Sequence, residues 1–86
     1  MNILITGCAG FIGFHLSKKL SLKKNYKIYG IDNIDNYYDI NLKKDRLKEL
    51  KKLNNFHFNK LDINEKIKLK NFFKKNKINI VENLAA

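Results

Sequence analysis

The chain has 86 residues, 44% of them hydrophobic, which allows one small folded domain and argues against wholesale disorder. No apolar run reaches the roughly 18 residues that a membrane-spanning helix needs, and no basic segment precedes the apolar N-terminus as it would in a signal peptide. The single cysteine, Cys8, excludes an internal disulfide and a structural zinc site. We therefore expect a soluble, cytoplasmic protein with no membrane partner.

The net charge of +10 taken alone would suggest an anionic partner such as nucleic acid. Arg46, however, is the only arginine among the 18 basic residues, and proteins that grip phosphates or read bases favour the planar fork of arginine. The runs Lys43-Lys44 and Lys74-Lys75 are interpreted as solvated helix faces. We expect no nucleic-acid partner, with a basic nucleic-acid binder as a minor alternative.

Strands and helices alternate along the predicted chain. In chain order the sequence predicts a strand over residues 1–6, a helix over 10–24, a strand over 26–31, a polar loop over 33–41, a helix over 42–53, a strand over 56–61, a helix that begins near 64, and a strand over 78–84. Asn64 is predicted to be the N-cap of the third helix. The inner helix faces are predicted to consist of Ile12, Leu16 and Leu20, then Leu47, Leu50 and Leu53, then Ile67, Phe72 and Phe73.

This alternation predicts an α/β fold in which right-handed crossovers join the strands of a parallel sheet. The pattern β-α-β-α-β-α-β corresponds to the N-terminal part of a Rossmann-type, doubly wound parallel sheet, for which we expect the strand order 3-2-1-4. Glu82 lies in the fourth strand, and an unpaired carboxylate inside a sheet that is covered on both faces would be costly. Glu82 therefore either has a partner or lies in a poorly covered strand.

The strongest motif is Thr6-Gly7-Cys8-Ala9-Gly10-Phe11-Ile12-Gly13, directly after the first strand and at the start of the first helix. Gly7 allows a tight turn, Gly10 allows a pyrophosphate to approach the backbone, and Gly13 allows close packing of helix and strand. The amides of Phe11 and Ile12 would point at an anion from the helix N-terminus. The alternative is a strand–helix turn that binds no ligand.

Asp32 ends the second strand, about 20 residues beyond the last of these glycines. A carboxylate at this point can accept hydrogen bonds from both hydroxyls of an adenosine ribose, and it would repel a 2′-phosphate. No Lys or Arg occurs in the ten positions after Asp32. These features favour NAD over NADP as the cofactor, and the alternative for Asp32 is a carboxylate that caps a turn.

At these residues the sequence resembles the extended short-chain dehydrogenases/reductases, in the NAD-dependent epimerase/dehydratase family. The resemblance is carried by the glycine motif and by Asp32-Asn33, Asp62-Ile63 and Asn83-Leu84-Ala85-Ala86. The stretches 10–16 and 30–39, together with Leu42-Lys43 and Arg46-Leu47, are similar to the UDP-glucuronate 4-epimerase branch of that family. The resemblance extends over essentially the whole chain.

The resemblance implies a role for each of these residues in binding NAD. The pyrophosphate would be bound by Gly7, Gly10, Phe11, Ile12 and Gly13, the adenosine ribose by Asp32 and Asn33, the adenine by Asp62 and Ile63, and the ribose on the nicotinamide side by Leu84, Ala85 and Ala86. The residues alone leave alternatives open: Asp62 could cap a helix, and residues 84–86 could be plain packing at a strand end.

Catalysis in this family requires a Ser/Thr and a Tyr-x-x-x-Lys pair, and none of Tyr26, Tyr29, Tyr37 and Tyr38 has a lysine four positions later. The resemblance therefore implies that residues 1–86 are part of an NAD-binding domain, without catalytic residues and without the substrate domain. The complete enzyme would act on a UDP-sugar and form a homodimer. A sugar-nucleotide 4,6-dehydratase and a non-catalytic dinucleotide-binding module are the alternatives. We expect no catalytic or metal-binding role for Cys8, His15 or His57.

Overall fold

The computed structural model describes residues 1–34 and 40–85. Its strands are β1 (Asn2–Thr6), β2 (Lys27–Asp32), β3 (Phe56–Lys60) and β4 (Ile80–Asn83), and its helices are α1 (Phe11–Ser21), α2 (Ile40–Leu50) and α3 (Lys66–Asn76). The predicted alternation is confirmed, although the first two helices end three residues earlier than predicted. The predicted loop over 33–41 is shortened at its end by α2, and its residues 35–39 lie outside the described residues.

The four strands form one parallel sheet in the order β3-β2-β1-β4, as predicted. Successive residues of β1 point to opposite faces of this sheet. Ile3 and Ile5 pack on the side of α1 and α2, in the cluster that also holds Phe14 and Leu50. Leu4 packs on the other side, where Phe72 and Phe73 of α3 cover it. Helices therefore cover both faces at the centre of the sheet, and the carboxyl ends of the strands share one edge.

The predicted inner faces of the helices are largely correct. Leu16, Leu20, Leu47, Leu50 and Leu53 all pack into or against the core. Ile12 was predicted to face inward and is 66% exposed, because Phe14 and Ser17 occupy the buried face of α1.

Two predictions for α3 are wrong. Ile67 is 80% exposed, since α3 packs through Leu69, Phe72 and Phe73, which form a stripe three to four residues apart on the opposite face. The N-cap of α3 is Glu65 rather than Asn64. The Asn64 backbone N–H instead donates to the Asp62 carboxylate at 2.9 Å, which places Asn64 in the turn before the helix.

Strand β4 is exposed along its whole length, including Glu82, Ile80 and Val81. This observation decides between the two alternatives for Glu82, because the strand is poorly covered and the carboxylate is exposed. None of the described helices is long and apolar enough to cross a membrane.

Candidate functional site

The loop between β1 and α1 is shaped by Gly7, whose φ of 72° lies in the left-handed region. A Cβ atom at this position would lie 2.9 Å from the carbonyl oxygen of Leu84. The backbone N–H groups of Gly7 and Cys8 both donate to the carbonyl oxygen of Ile31, at 2.9 and 3.3 Å. Gly7 thus lets the loop pass close to the end of β4 while the loop stays attached to the end of β2.

The start of α1 rests directly on this loop. A Cβ atom at Gly13 would overlap the carbonyl oxygen of Gly7, so only glycine permits this approach. Gly10 is the N-cap, and no described side chain caps the helix. Phe11 and Ile12 are each 66% exposed, and the first turn contains no acidic residue. The uncapped amides and the helix dipole therefore favour an anion at this terminus.

The carboxylate of Asp32 is buried at the end of β2, where its side chain is 4% exposed. Its Oδ2 accepts a hydrogen bond from the Ala9 backbone N–H at 3.0 Å, and its Oδ1 accepts one from the Ile34 N–H at 2.8 Å. The Lys43 ammonium lies 3.4 Å from the same Oδ1. Asp32 thus caps the turn after β2, fixes the glycine loop and faces the space in front of it.

Two basic residues of α2 belong to the site although they were not predicted there from the sequence. Lys43 is buried beside Asp32, so its interpretation as part of a solvated face is wrong, whereas Lys44 is exposed as predicted. Arg46 donates to the carbonyl oxygen of Ala9 at 3.0 Å, and its guanidinium lies 5.8 Å from the centre of the Phe11 ring. The position of Lys43 four residues before Leu47, on the inner face of α2, is the signal that could have revealed its burial.

Asp62 follows β3 and lies at the carboxyl edge of the sheet, as Asp32 does at the end of β2. Its Oδ1 accepts from the Asn64 N–H, and its Oδ2 lies 3.4 Å from the amide nitrogen of Asn33. Asp62 therefore closes the turn before α3 and also faces Asn33 across the edge of the sheet. The alternative that Asp62 caps a helix is wrong, because the N-cap of α3 is Glu65 and Asp62 caps the turn before it.

Thr6 fixes the far side of the site. Its hydroxyl donates to the side-chain oxygen of Asn83 at 2.5 Å and accepts hydrogen bonds from the N–H groups of Leu84, at 3.0 Å, and Ala85, at 3.3 Å. One hydroxyl thus orders the segment that leaves β4 and holds it against the glycine loop.

These elements surround one cavity of about 950 Å³ at the carboxyl edge of the sheet. Its volume lies at the upper end of the range of about 300–1,000 Å³ that is usual for small-molecule and cofactor sites. The sequence-predicted residues that line it are Gly7, Gly10, Phe11, Ile12, Gly13, Asp32, Asn33, Asp62, Ile63, Leu84 and Ala85. Ala86 lies outside the described residues. The lining residues that were not predicted from the sequence are Ile31, Leu42, Lys43, Arg46, Leu61 and Asn64.

The two histidines and the cysteine lie outside the lining of this cavity. His15 is exposed and packs edge-on against Phe11 and Phe14, and His57 is exposed beside Tyr29. Cys8 is fully buried. Within residues 1–34 and 40–85, no group of three or more His, Cys, Asp or Glu side chains could bind a metal ion.

The chain matches the family model described as GDP-mannose 4,6 dehydratase over residues 4–86. It is 48% identical over 86 residues to Protein CapI of Staphylococcus aureus, covering all of this chain and 25% of the relative. It is 45% identical over 83 residues to the UDP-glucuronate 4-epimerase of Thermodesulfobacterium geofontis, covering 96% of this chain and again 25% of the relative.

Solved structures show the same relationship. The UDP-glucuronic acid 4-epimerase of Bacillus cereus, crystallised with UDP-glucuronic acid and NAD, superposes with a TM-score of 0.90 at 35% identity, over all of this chain and 26% of that one. The dTDP-glucose 4,6-dehydratase of Bacillus anthracis, in complex with NAD, superposes with a TM-score of 0.83 at 31% identity, over all of this chain and 27% of that one. This chain spans about a quarter of the length of these proteins, and it belongs to the GDP-mannose 4,6-dehydratase family of nucleotide-sugar epimerases and dehydratases.

Proposed function

We propose that the chain binds NAD and is the cofactor-binding part of a nucleotide-sugar epimerase of the UDP-glucuronate 4-epimerase type. One observation carries the proposal: every described residue assigned to NAD from the sequence lines the same cavity. These residues come from four separate segments of the chain, which only the parallel sheet brings together at one edge. Open α/β sheets bind their ligands at this edge.

The site offers each part of a dinucleotide a suitable environment. The uncapped N-terminus of α1, with Gly10 beneath it, suits the pyrophosphate. Asp32 and Asn33 would bind the adenosine ribose, and Asp62 with Ile63 would flank the adenine. Leu84 and Ala85, held by Thr6, would contact the ribose on the nicotinamide side, and we expect the same of Ala86. Bound NAD would supply the acceptor and donor of a hydride, while these residues hold and orient it.

The substrate and the reaction are proposed from the relatives. The Bacillus cereus structure contains UDP-glucuronic acid beside NAD, which supports a UDP-sugar as the substrate and inversion at its C4 as the reaction. Residues 1–86 contain no Tyr-x-x-x-Lys sequence. We therefore propose that they hold the cofactor as part of an NAD-binding domain, while other parts of a complete, homodimeric, cytoplasmic enzyme bind the sugar and supply the base. These residues alone are expected to show no turnover with UDP-sugars.

A sugar-nucleotide 4,6-dehydratase is the second candidate. It is favoured by the description of the matching family model, by the Bacillus anthracis structure, and by a Dictyostelium discoideum dTDP-D-glucose 4,6-dehydratase that is 49% identical over 86 residues. Both activities need the same cofactor site, so the cavity supports both equally. The epimerase is favoured by the sequence of residues 30–39, which is similar to the UDP-glucuronate 4-epimerase branch of the family.

Isothermal titration calorimetry with this chain tests the proposal. We expect NAD to bind one-to-one and NADP to bind much more weakly, because the Asp32 carboxylate faces the position of the 2′-phosphate. Leu22→Ser is a suitable control, since Leu22 is 79% exposed and lies outside the cavity lining. A folded chain that binds no NAD, or that binds NADP more tightly, would contradict the assignment.

A further inference from the structure

Lys43 is a buried lysine in direct contact with the residue expected to choose the cofactor. Its side chain is 10% exposed, and its ammonium lies 3.4 Å from the Asp32 carboxylate. The next residue, Lys44, is exposed to solvent. Burying a lysine is costly unless its charge is paired, so the position of Lys43 depends on the negative charge beside it.

The Asp32 carboxylate therefore does not present an isolated negative charge to the cavity. It accepts the two backbone N–H groups of Ala9 and Ile34 and contacts the ammonium of Lys43. An ionised carboxylate offers about four lone-pair sites, so three donors leave little of its capacity free. A ribose hydroxyl that binds Asp32 would also lie near Lys43, because the Lys43 ammonium lies 3.4 Å from the Asp32 carboxylate and both residues line the cavity.

Arg46 is a second cation in the lining of the cavity. Its hydrogen bond to the carbonyl oxygen of Ala9 and its position beside the Phe11 ring hold the guanidinium near the glycine loop. Arginine has five N–H donors in a rigid fork. Lys43, beside Asp32, and Arg46, beside the glycine loop, thus both contribute positive charge to the lining of the cavity.

We propose that Lys43 is a specificity-determining residue at the adenosine ribose, where its ammonium offsets the repulsion between Asp32 and a 2′-phosphate. The proposal rests on the proposed function, namely that this cavity binds NAD. Asp32 still makes NAD the preferred cofactor, and Lys43 limits the size of the preference. The discrimination between the two cofactors is therefore a property of the pair rather than of Asp32 alone.

The test is the ratio of the Kd for NADP to the Kd for NAD, measured by calorimetry on folded variants of this chain. Lys43→Met keeps the aliphatic length and removes the charge. The ratio should rise by at least about tenfold, since unit charges a few ångströms apart interact strongly in a partly buried site. Lys43→Arg keeps the charge and should leave the ratio within about threefold of that of the unmodified chain. This is a smaller change than the roughly tenfold rise expected when the charge is removed. If the role of Lys43 were purely structural, Lys43→Met would weaken the binding of NAD and of NADP to the same extent and leave the ratio unchanged.

Lys44→Met is the matched control, because it removes the same charge from the neighbouring exposed position and should not change the ratio. An unchanged ratio in folded Lys43→Met overturns the inference and leaves the proposed function intact. Failure of the unmodified chain to bind NAD overturns the proposed function and the inference with it. If Lys43→Met does not fold, Lys43→Gln, which removes the charge but keeps a polar head group, supplies the test: the ratio of the two Kd values should again rise at least about tenfold, and an unchanged ratio would overturn the inference.

Discussion

The backbone N–H of Ala9 donates to the Asp32 carboxylate at 3.0 Å, so the last residue of β2 fixes the loop that precedes α1. Asp32 is therefore both a proposed ligand of the ribose and a support of the glycine loop. Its substitution should affect stability as well as cofactor choice.

Asp32→Ala should lower the free energy of unfolding by about 1–3 kcal/mol, because it leaves a buried N–H group at Ala9 without its acceptor. Asp32→Asn should cost less, since the amide oxygen can still accept one of these hydrogen bonds. Urea denaturation followed by circular dichroism measures both. Asp45→Ala, at an exposed position of α2, is the control and should change stability by no more than about 0.5 kcal/mol. Equal stability of Asp32→Ala and the control would refute the structural role.

Gly13 and Gly10 should respond differently to the same substitution. A Cβ at Gly13 would overlap the carbonyl oxygen of Gly7, whereas a Cβ at Gly10 would lie 3.3 Å from that oxygen. Gly13→Ala should therefore destabilise the fold by about 1–3 kcal/mol through overpacking. Gly10→Ala should cost less stability than Gly13→Ala but weaken the binding of NAD, because its methyl group would occupy space proposed for the pyrophosphate. Thermal unfolding and NAD titration of both variants give the comparison, and a Gly10→Ala chain with undiminished NAD affinity would contradict the proposed place of the pyrophosphate.

The extent to which the sequence predicted the site depends on how local each signal is. Gly7, Gly10, Gly13 and Asp32 were found because their spacing from a strand end determines their positions along the sheet edge. Lys43 and Arg46 were missed because a lysine run normally lies in solvent, and only the placement of α2 against β2 and the glycine loop brings them to Asp32 and Ala9.

The errors in the helices have the same origin. Ile12 and Ile67 fit an apolar pattern, but the inward face of α1 includes Phe14 and Ser17, and α3 packs through the face opposite Ile67. For Ile12 the exposure is informative, since the residue lines the cavity. The strand order was predictable because parallel crossovers of this length allow few alternatives.

Cys8 should react with thiol reagents only when the chain opens. The residue is fully buried, and burial, with a further contribution from the nearby Asp32 carboxylate, raises the pKa of the thiol well above its usual range. Because the thiolate is the reactive form, native alkylation by iodoacetamide should be at least about a hundredfold slower than in urea, an opening free energy of about 2.8 kcal/mol. Mass spectrometry over time gives both rates. Comparable rates in native buffer and in urea would show that the core around Cys8 is open.

The exposed β4 should make the chain marginally stable and prone to self-association. Ile80 is 40% exposed and Val81 41% exposed in a strand at the edge of the sheet, and such edges pair with other chains. The net charge of +10 opposes association at low salt, so sedimentation should show larger species as salt shortens the screening length to about 8 Å near 0.15 M.

The substitution pair Ile80→Thr and Val81→Thr should suppress this association, whereas Leu22→Thr, at an equally apolar and more exposed position, should not. The prediction would be contradicted by a chain that remains monomeric in salt and unfolds cooperatively with a free energy of unfolding of about 5 kcal/mol or more, as is usual for folded domains. The exposed strand β4 would then cause neither self-association nor low stability.

The hydrogen bond between Thr6 and Asn83 joins residues 77 positions apart, and it has a consequence for synthesis. At a translation rate of about 5–20 residues per second, Thr6 is added to the chain roughly 4–15 s before Asn83. During that interval β1 can pair with β2, and the glycine loop can attach to Ile31 and Asp32. The outer edge of β1 stays open until β4 arrives, so the adenosine side of the cavity can form on the nascent chain before the opposite wall exists.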